Sequence, residues 1–295
     1  MRVASIDIGT NTILLLIAEV DEGKLKPLFE METIVGLGKG LQKDGALSQE
    51  AMKRGFQTLA QYEERCQTMG VQKIFAVGTS ALREAKNSRD FLKTIKEKLN
   101  FSIEIISGEE EAQLSFLAVI RDLKELKKVI LVIDVGGGST EFILGKGDRI
   151  IQWVSLPLGS VRFTDQFLLS DPVQEEEWKK MEGEILELLV RIPHPQEPFS
   201  MVAVGGTATT LASVEQGVEE FIPEKIHHFV LKKEALRNQL HLYRSKTIDE
   251  RRKIPGLPPA RADVILACGA ILYMAMKKLG CRSVLVSCHE IGRAN

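Results

Sequence analysis

Asp134-Val135-Gly136-Gly137-Gly138-Ser139-Thr140-Glu141 sets two carboxylates around three glycines and two hydroxyls. Consecutive glycines let a backbone turn freely and strip every side chain from one patch. What remains is a row of backbone N–H groups, a concavity suited to an anion such as phosphate. The hydroxyls of Ser139 and Thr140 add donors. Asp134 and Glu141 would repel a phosphate placed against them, so the stretch asks for a cation between the two, most simply Mg²⁺. The plainer alternative is a tight hairpin with a capping aspartate.

Other stretches carry related chemistry. Glu109-Glu110-Glu111 offers a general base, and Arg83 a guanidinium that can fork across two phosphate oxygens. Successive helical residues diverge by about 100°, so only one of the three acids can face a given water, and spacing does not say which. They could equally oppose a helix dipole, and Arg83 could be a solvated charge. Asp7-Ile8-Gly9-Thr10-Asn11-Thr12 brings Asp7, Thr10 and Asn11 to a turn that could reach metal or phosphate, or be a plain Asx turn. Gly205-Gly206-Thr207 opens a helix whose N-terminus is a further anion site, unless it is only a turn capped by Thr207. His227-His228 reads as the border of a strand rather than as a metal ligand.

These residues sit where strands meet turns. Val3–Ile8, Ile13–Val20, Lys73–Val77, Phe101–Ile106, Val129–Ile133 and Met201–Val204 read as strands, with a turn at 21–24 leading into another. Ser48 is expected to cap a helix running to Met69 with Gly70 as its stop, and Ser88 to cap a second. In that second helix Phe91, Leu92, Ile95 and Leu99 share one face. Gly108 opens another helix, and Glu175–Val190 a longer one before the proline-rich loop 192–198. The pattern restarts partway along. Asp7-x-Gly9 recurs as Asp134-x-Gly136, and 134 − 7 is 127. Ala76-Val77-Gly78 recurs as Ala203-Val204-Gly205, and 205 − 78 is again 127. Two motifs in one register predict two copies of one α/β domain, at 1–124 and 128–295, with a charged boundary at 124–128. Facing each other, such domains would gather the loops at 7–12, 78–83, 134–141 and 205–210 around one central cleft.

Composition narrows the classes. With 295 residues, 44% hydrophobic and 27% charged, the chain is an ordinary globular protein of about two domains. A net charge of −1 provides no global attraction for nucleic acid or anionic lipid. Four scattered cysteines without a C-x-x-C pair argue against zinc and fit the reducing cytoplasm. No long apolar run precedes Asp7, so no signal peptide is expected. The run Val264–Met276 falls short of the roughly 20 residues of a membrane span and reads as a buried helix.

Taken together, Asp7–Thr12, Val77–Arg83, Ile105–Ala112, Ile133–Glu141, Ala203–Thr207 and the Ile254-Pro255-Gly256-Leu257-Pro258-Pro259 run through Asp263 resemble the exopolyphosphatase / guanosine pentaphosphate phosphohydrolase family. The likeness spans nearly the whole chain in order. It implies two duplicated actin-like domains, of the ribonuclease H-like superfamily that includes sugar kinases and heat-shock ATPases, around a central cleft. It further implies Mg²⁺-dependent removal of the terminal phosphate of inorganic polyphosphate, or cleavage of guanosine pentaphosphate on the same site. By resemblance Glu111 is the catalytic glutamate, and Asp134 and Glu141 are metal-associated; Asp7, expected to face Asp134 across the cleft, would reach the metal through water or bind phosphate. Gly136, Gly137, Gly138, Ser139 and Thr140 form the phosphate loop, and Arg83 holds the anionic chain. Thr10, Asn11, Gly205, Gly206 and Thr207 complete the phosphate-binding set, and a homodimer is compatible with the family. Lys39, Lys43, Lys86, Arg89 and Lys93 could line a route for polymer, though most read as solvated charges. An ATP-dependent kinase or a non-catalytic sensor of the same fold are the alternatives of a different class. The end of the chain, Val286-Ser287-Cys288-His289-Glu290-Ile291-Gly292-Arg293, departs from the Ser-Asp-x-Gly-Leu-Arg-like segment of the family.

Overall fold

The computed structural model describes residues 1–21, 24–123, 128–218 and 222–289. Parts of the expected turn at 21–24, of the boundary at 124–128 and of the divergent tail after His289 lie outside these residues. The chain divides into two compact units, 1–111 and 112–290.

In the first unit, β1 (Arg2–Ile8), β2 (Thr12–Asp21) and β3 (Lys24–Ile34) form an antiparallel meander. Then come α1 (Leu41–Asp44), α2 (Gln49–Thr68), β4 (Lys73–Gly78), α3 (Ser80–Glu84), α4 (Ser88–Lys98) and β5 (Ile103–Ile105). The sheet order is β3-β2-β1-β4-β5, with β4 and β5 parallel to β1. Alternation along β1 sends Ala4, Ile6 and Ile8 to one face, where α2 (Ala51, Leu59, Tyr62) and α4 (Phe91, Ile95) cover them. Ser48 caps α2 by accepting from the Ala51 N–H at 3.1 Å, and Gly70 takes the left-handed backbone that follows a helix end. Ser88 does not cap α4. It is the first helical residue, and the preceding Asn87 instead exchanges hydrogen bonds with the backbone of Leu47. The strand expected over 101–106 shortens to three residues because Phe101 turns into the core before pairing begins.

Helix α5 (Gly108–Asp122) begins in the first unit and continues into the second. There β6 (Val129–Val135), β7 (Thr140–Lys146) and β8 (Arg149–Leu156) repeat the meander. They lead to α6 (Ser160–Phe167), α7 (Glu175–Leu188), a 3-10 turn at Leu189–Arg191, β9 (Phe199–Val204) and α8 (Gly205–Gln216). Next are α9 (Pro223–Ile226), β10 (Val230–Lys232), α10 (Lys233–Arg244), α11 (Ile248–Arg251), a second 3-10 turn at Pro259–Arg261, α12 (Ile265–Lys278) and β11 (Ser283–Val286). The order is β10-β11-β9-β6-β7-β8. Taken from the β8 end, it repeats the first sheet through β11 and adds β10 at the far edge. The expected helix at 264–276 is α12, buried on almost every side. No helix among the described residues is long and apolar enough to cross a membrane.

The duplication is present in the hydrogen bonds themselves. Gly9 donates to Thr12 O at 2.9 Å, and Gly136 donates to Ser139 O at 3.0 Å. Asp7 pairs with Val77, and Asp134 with Val204, each partner displaced by 127. The second sheet is covered on both faces. Ile133, Val135 and Phe142 pack under α6, α8 and α12, while Ile130, Val132 and Ile143 meet Ala112, Phe116 and Val119 of α5. The alternation therefore aims Asp134 and Glu141 toward the α5 side.

Candidate active site

In the first unit the parallel strands β1 and β4 end together at Ile8 and Gly78, with β5 alongside. Ligand sites of open α/β sheets lie beyond such ends. Arg83 follows on α3, and its Nη1 donates to Glu111 Oε2 at 2.7 Å and to Ile106 O at 2.9 Å. Glu111 is 7% exposed, so this pair is largely shielded from water. The contact fixes the direction of the Glu111 side chain. The structure also separates the three acids. Ser107 and Glu110 form a capping box: Glu110 N–H donates to Ser107 Oγ at 3.2 Å, and Ser107 N–H donates to Glu110 Oε2 at 2.8 Å. Hydrogen bonds from Ser107 backbone and hydroxyl hold the Glu110 carboxyl below its usual range. Glu109 is exposed, leaving Glu111 as the one buried acid of the three. The S-x-x-E signature of the cap was present in the sequence at 107–110. Thr10 and Asn11 serve the turn: Thr10 O accepts from Gly38, and Asn11 O accepts from Val35 and Gly36. The Thr10 methyl packs against Gly38, where a Cβ would lie 2.4 Å away.

In the second unit Asp134 is the last residue but one of β6 and pairs across the ladder with Glu141 of β7. Cross-strand partners hold their Cβ atoms about 4.5–5.5 Å apart on one face, where two negative charges repel. Glu141 is 1% exposed and accepts from Ser155 Oγ at 2.8 Å. Asp134 Oδ2 accepts from Ser115 Oγ of α5 at 3.2 Å. Burial pushes the Asp134 carboxyl up to about 6, against the opposing pull of the Ser115 hydroxyl. Gly205 abuts it. A Cβ there would stand 2.7 Å from Asp134 Oδ1, and the backbone takes φ +84°, so no other residue serves well.

The loop at 136–139 is a tight hairpin turn, with Asp134 accepting from Ser115. Its Gly136 is not left-handed, so the glycine is not there for a special φ. The reason is close approach within the turn: a Cβ on Gly136 would stand 3.0 Å from Ser139 O. The loop is also anchored from outside. Gly136 O accepts from Ser160 N–H at 3.0 Å, Gly137 O from Val161 N–H at 2.9 Å, and Gly138 O from Arg162 Nε at 2.7 Å. The carbonyls are thus tied to the start of α6. Gly159 is part of this contact, since a Cβ on it would meet Gly137 O at 2.4 Å.

Two expected donors are engaged elsewhere. Thr140 Oγ1 donates in a short bond to Leu158 O, and Thr207 Oγ1 donates to Val135 O at 2.8 Å rather than capping α8. Gly206 lies under the buried guanidinium of Arg261, whose Nη2 sits 2.1 Å from where a Cβ would be. Ser115, Ser155, Arg162 and Arg261 are the residues sequence reasoning passed over. Only Arg261 carried a signal, through the Pro-Pro-x-Arg run. The five lysines and arginines considered for a polymer route gain no shared arrangement that singles them out.

A mixed sheet of order 3-2-1-4-5, built twice with an acidic strand end and a glycine turn at the same offset, defines the actin-like α/β class. Within that class the chain belongs to the Ppx/GppA phosphatase family, which it matches over residues 16–289. It is 35% identical to the bifunctional 3-dehydroquinate synthase/phosphatase of Fusobacterium nucleatum over 96% of its own length, and it spans 44% of that relative. The Ppx/GppA family member of Aquifex aeolicus superposes with a TM-score of 0.82 at 33% identity, covering 100% of this chain and 95% of the other. An exopolyphosphatase of Cytophaga hutchinsonii superposes with a TM-score of 0.90 at 29% identity, covering 100% and 96%.

Proposed function

We propose that this chain is an exopolyphosphatase, releasing the terminal phosphate of inorganic polyphosphate with Mg²⁺ and Glu111 as general base. The observation that carries the reading is Glu111 itself: buried, paired with Arg83 at 2.7 Å, and the one acid of its trio not left exposed. A carboxylate held in one direction can accept a proton from an attacking water. Phosphoanhydride hydrolysis otherwise asks the protein for positioning and charge compensation. Since the carbonyls of Gly136, Gly137 and Gly138 are tied to α6, the backbone N–H groups of 137–139 are the proposed phosphoryl contacts. The side chains of Thr140 and Thr207 are not among them, being bonded to backbone carbonyls.

Asp134 and Glu141 form an all-oxygen donor pair on one sheet face, and the two charges want a cation between them. That fits Mg²⁺, which takes one or two carboxylates and completes its shell with water and substrate phosphate. Bound there, Mg²⁺ would neutralise charge on the phosphoryl oxygens. Asp7 holds the equivalent strand-end position of the first unit and is proposed to act on the metal through water, with Thr10, Asn11 and the start of α8 contributing phosphate contacts.

The test is phosphate release from long polyphosphate, short polyphosphate, guanosine pentaphosphate and ATP, with and without Mg²⁺. The proposal expects Mg²⁺-dependent release from polyphosphate. Release confined to guanosine pentaphosphate would move the assignment to that nucleotide, and release from none would leave a non-catalytic role.

A further inference from the structure

We propose that Asp122, His227 and His289 form a second metal site, for a divalent transition ion of the zinc type, chemically separate from the oxygen-only pair at Asp134 and Glu141. Three distant segments converge here: the end of α5, the turn between α9 and β10, and the residues after β11. Asp122 Oδ1 lies 3.2 Å from His227 Nε2 and 4.0 Å from His289 Nδ1, and one ligand atom from each residue falls within 4.8 Å of the others. His228 adds a further imidazole, its Nε2 2.8 Å from Asp122 Oδ2. His228 also holds a left-handed backbone at φ +63°, rare for a residue with a Cβ, and its N–H is tied to Val286 O at 2.8 Å.

The charges favour a metal over protons. The ring of His227 lies between those of His228 and His289, with centroids 3.9 and 4.8 Å away. Stacked imidazolium rings repel, and one carboxylate neutralises only one of them. His227 Nδ1 accepts the Cys288 N–H at 3.1 Å, which turns Nε2 toward Asp122. Neutral imidazoles with one carboxylate are the donor set of zinc and its neighbours, and a poor one for Mg²⁺. Bonds of about 2.0–2.1 Å require the ligand atoms to draw in by several tenths of an ångström. A neutral imidazole that binds an ion through Nε2 carries its proton on Nδ1, so the ring must release the Cys288 N–H and tilt out of its stack. Binding therefore shifts the segment 287–289. That segment leaves β11 at the same end of the sheet as Asp134, for Val286 and Ile133 both pair with Ala203.

The experiment is equilibrium dialysis of metal-stripped protein against Zn²⁺ in excess Mg²⁺, followed by zinc K-edge absorption. Wild type should hold one equivalent of Zn²⁺ more than the H227A/H289A double variant, with a nitrogen and oxygen shell showing imidazole scattering. D122N should weaken that equivalent at least about tenfold, a loss that even an outer partner can cause. If the double variant fails to fold, the wild-type spectrum decides alone. No bound equivalent, or a sulfur shell drawn from the cysteines, overturns the proposal.

Discussion

Replacing Asp134 by asparagine keeps the shape and the acceptor for Ser115 but removes the charge. Burial raises the Asp134 carboxyl from an ordinary 3.8 to about 6. At about 1.4 kcal/mol per pH unit, the gap corresponds to about 3 kcal/mol against the ionised form in the folded state. The sign follows from the raised value. The protonated acid suits the fold, so its contribution is complete below pH 3.8 and lost as pH rises through 6. D134N should therefore exceed wild type by up to about 3 kcal/mol at pH 8 in chelator, with the advantage shrinking between pH 6 and 4. Both tryptophans, Trp153 and Trp178, lie in the second unit, so urea titration followed by their fluorescence reports on the unit that holds Asp134. Mg²⁺ should then restore stability to wild type at pH 8 and do little for D134N. Equal stability of the two proteins across the pH range would refute the burial argument, and an equal Mg²⁺ response would remove Asp134 from the metal.

Other outcomes follow from single contacts. Arg83→Ala should lower kcat by more than it raises KM, because the guanidinium is bonded to Glu111; a change confined to KM would place Arg83 on the substrate instead. Gly159→Ala would drive a Cβ to 2.4 Å from Gly137 O, so the loop must shift; the expected cost is about 1–3 kcal/mol by denaturation, with loss of turnover. Ser107→Ala removes a helix cap and should cost about 1 kcal/mol by the same measurement while leaving turnover within a few fold.

Much of the scaffold was legible because its signals are local. Asp7 and Asp134 each follow an apolar run and stand two residues ahead of a glycine, and the common offset of 127 exposes the repeat in the sequence itself. The role of the glycines was legible only in part. Gly136 spares a Cβ for the carbonyl of its own turn and Gly159 one for the approach of that loop to α6, while left-handed backbone is needed at Gly205. What stayed hidden depends on partners far along the chain. Thr207 spends its hydroxyl on Val135, 72 residues away, and Asp134 meets Ser115 of a preceding helix. No spacing rule reveals either. The histidine pair at 227–228 lies just before β10, as expected, but its contact with Asp122, from more than a hundred residues earlier, was not legible and bears on the reading that it binds no metal. The acidic trio shows the intermediate case. Spacing left its members equivalent, whereas a cap at Glu110 and burial at Glu111 assign them different work.

The most direct measurement is single-turnover phosphate release from polyphosphate by Glu111→Gln beside wild type, with binding followed in parallel. The isosteric amide cannot take a proton from water, so release should slow at least about 10²-fold while polyphosphate remains bound. Release at the wild-type rate would show that the proton goes elsewhere and that Glu111 is not the base.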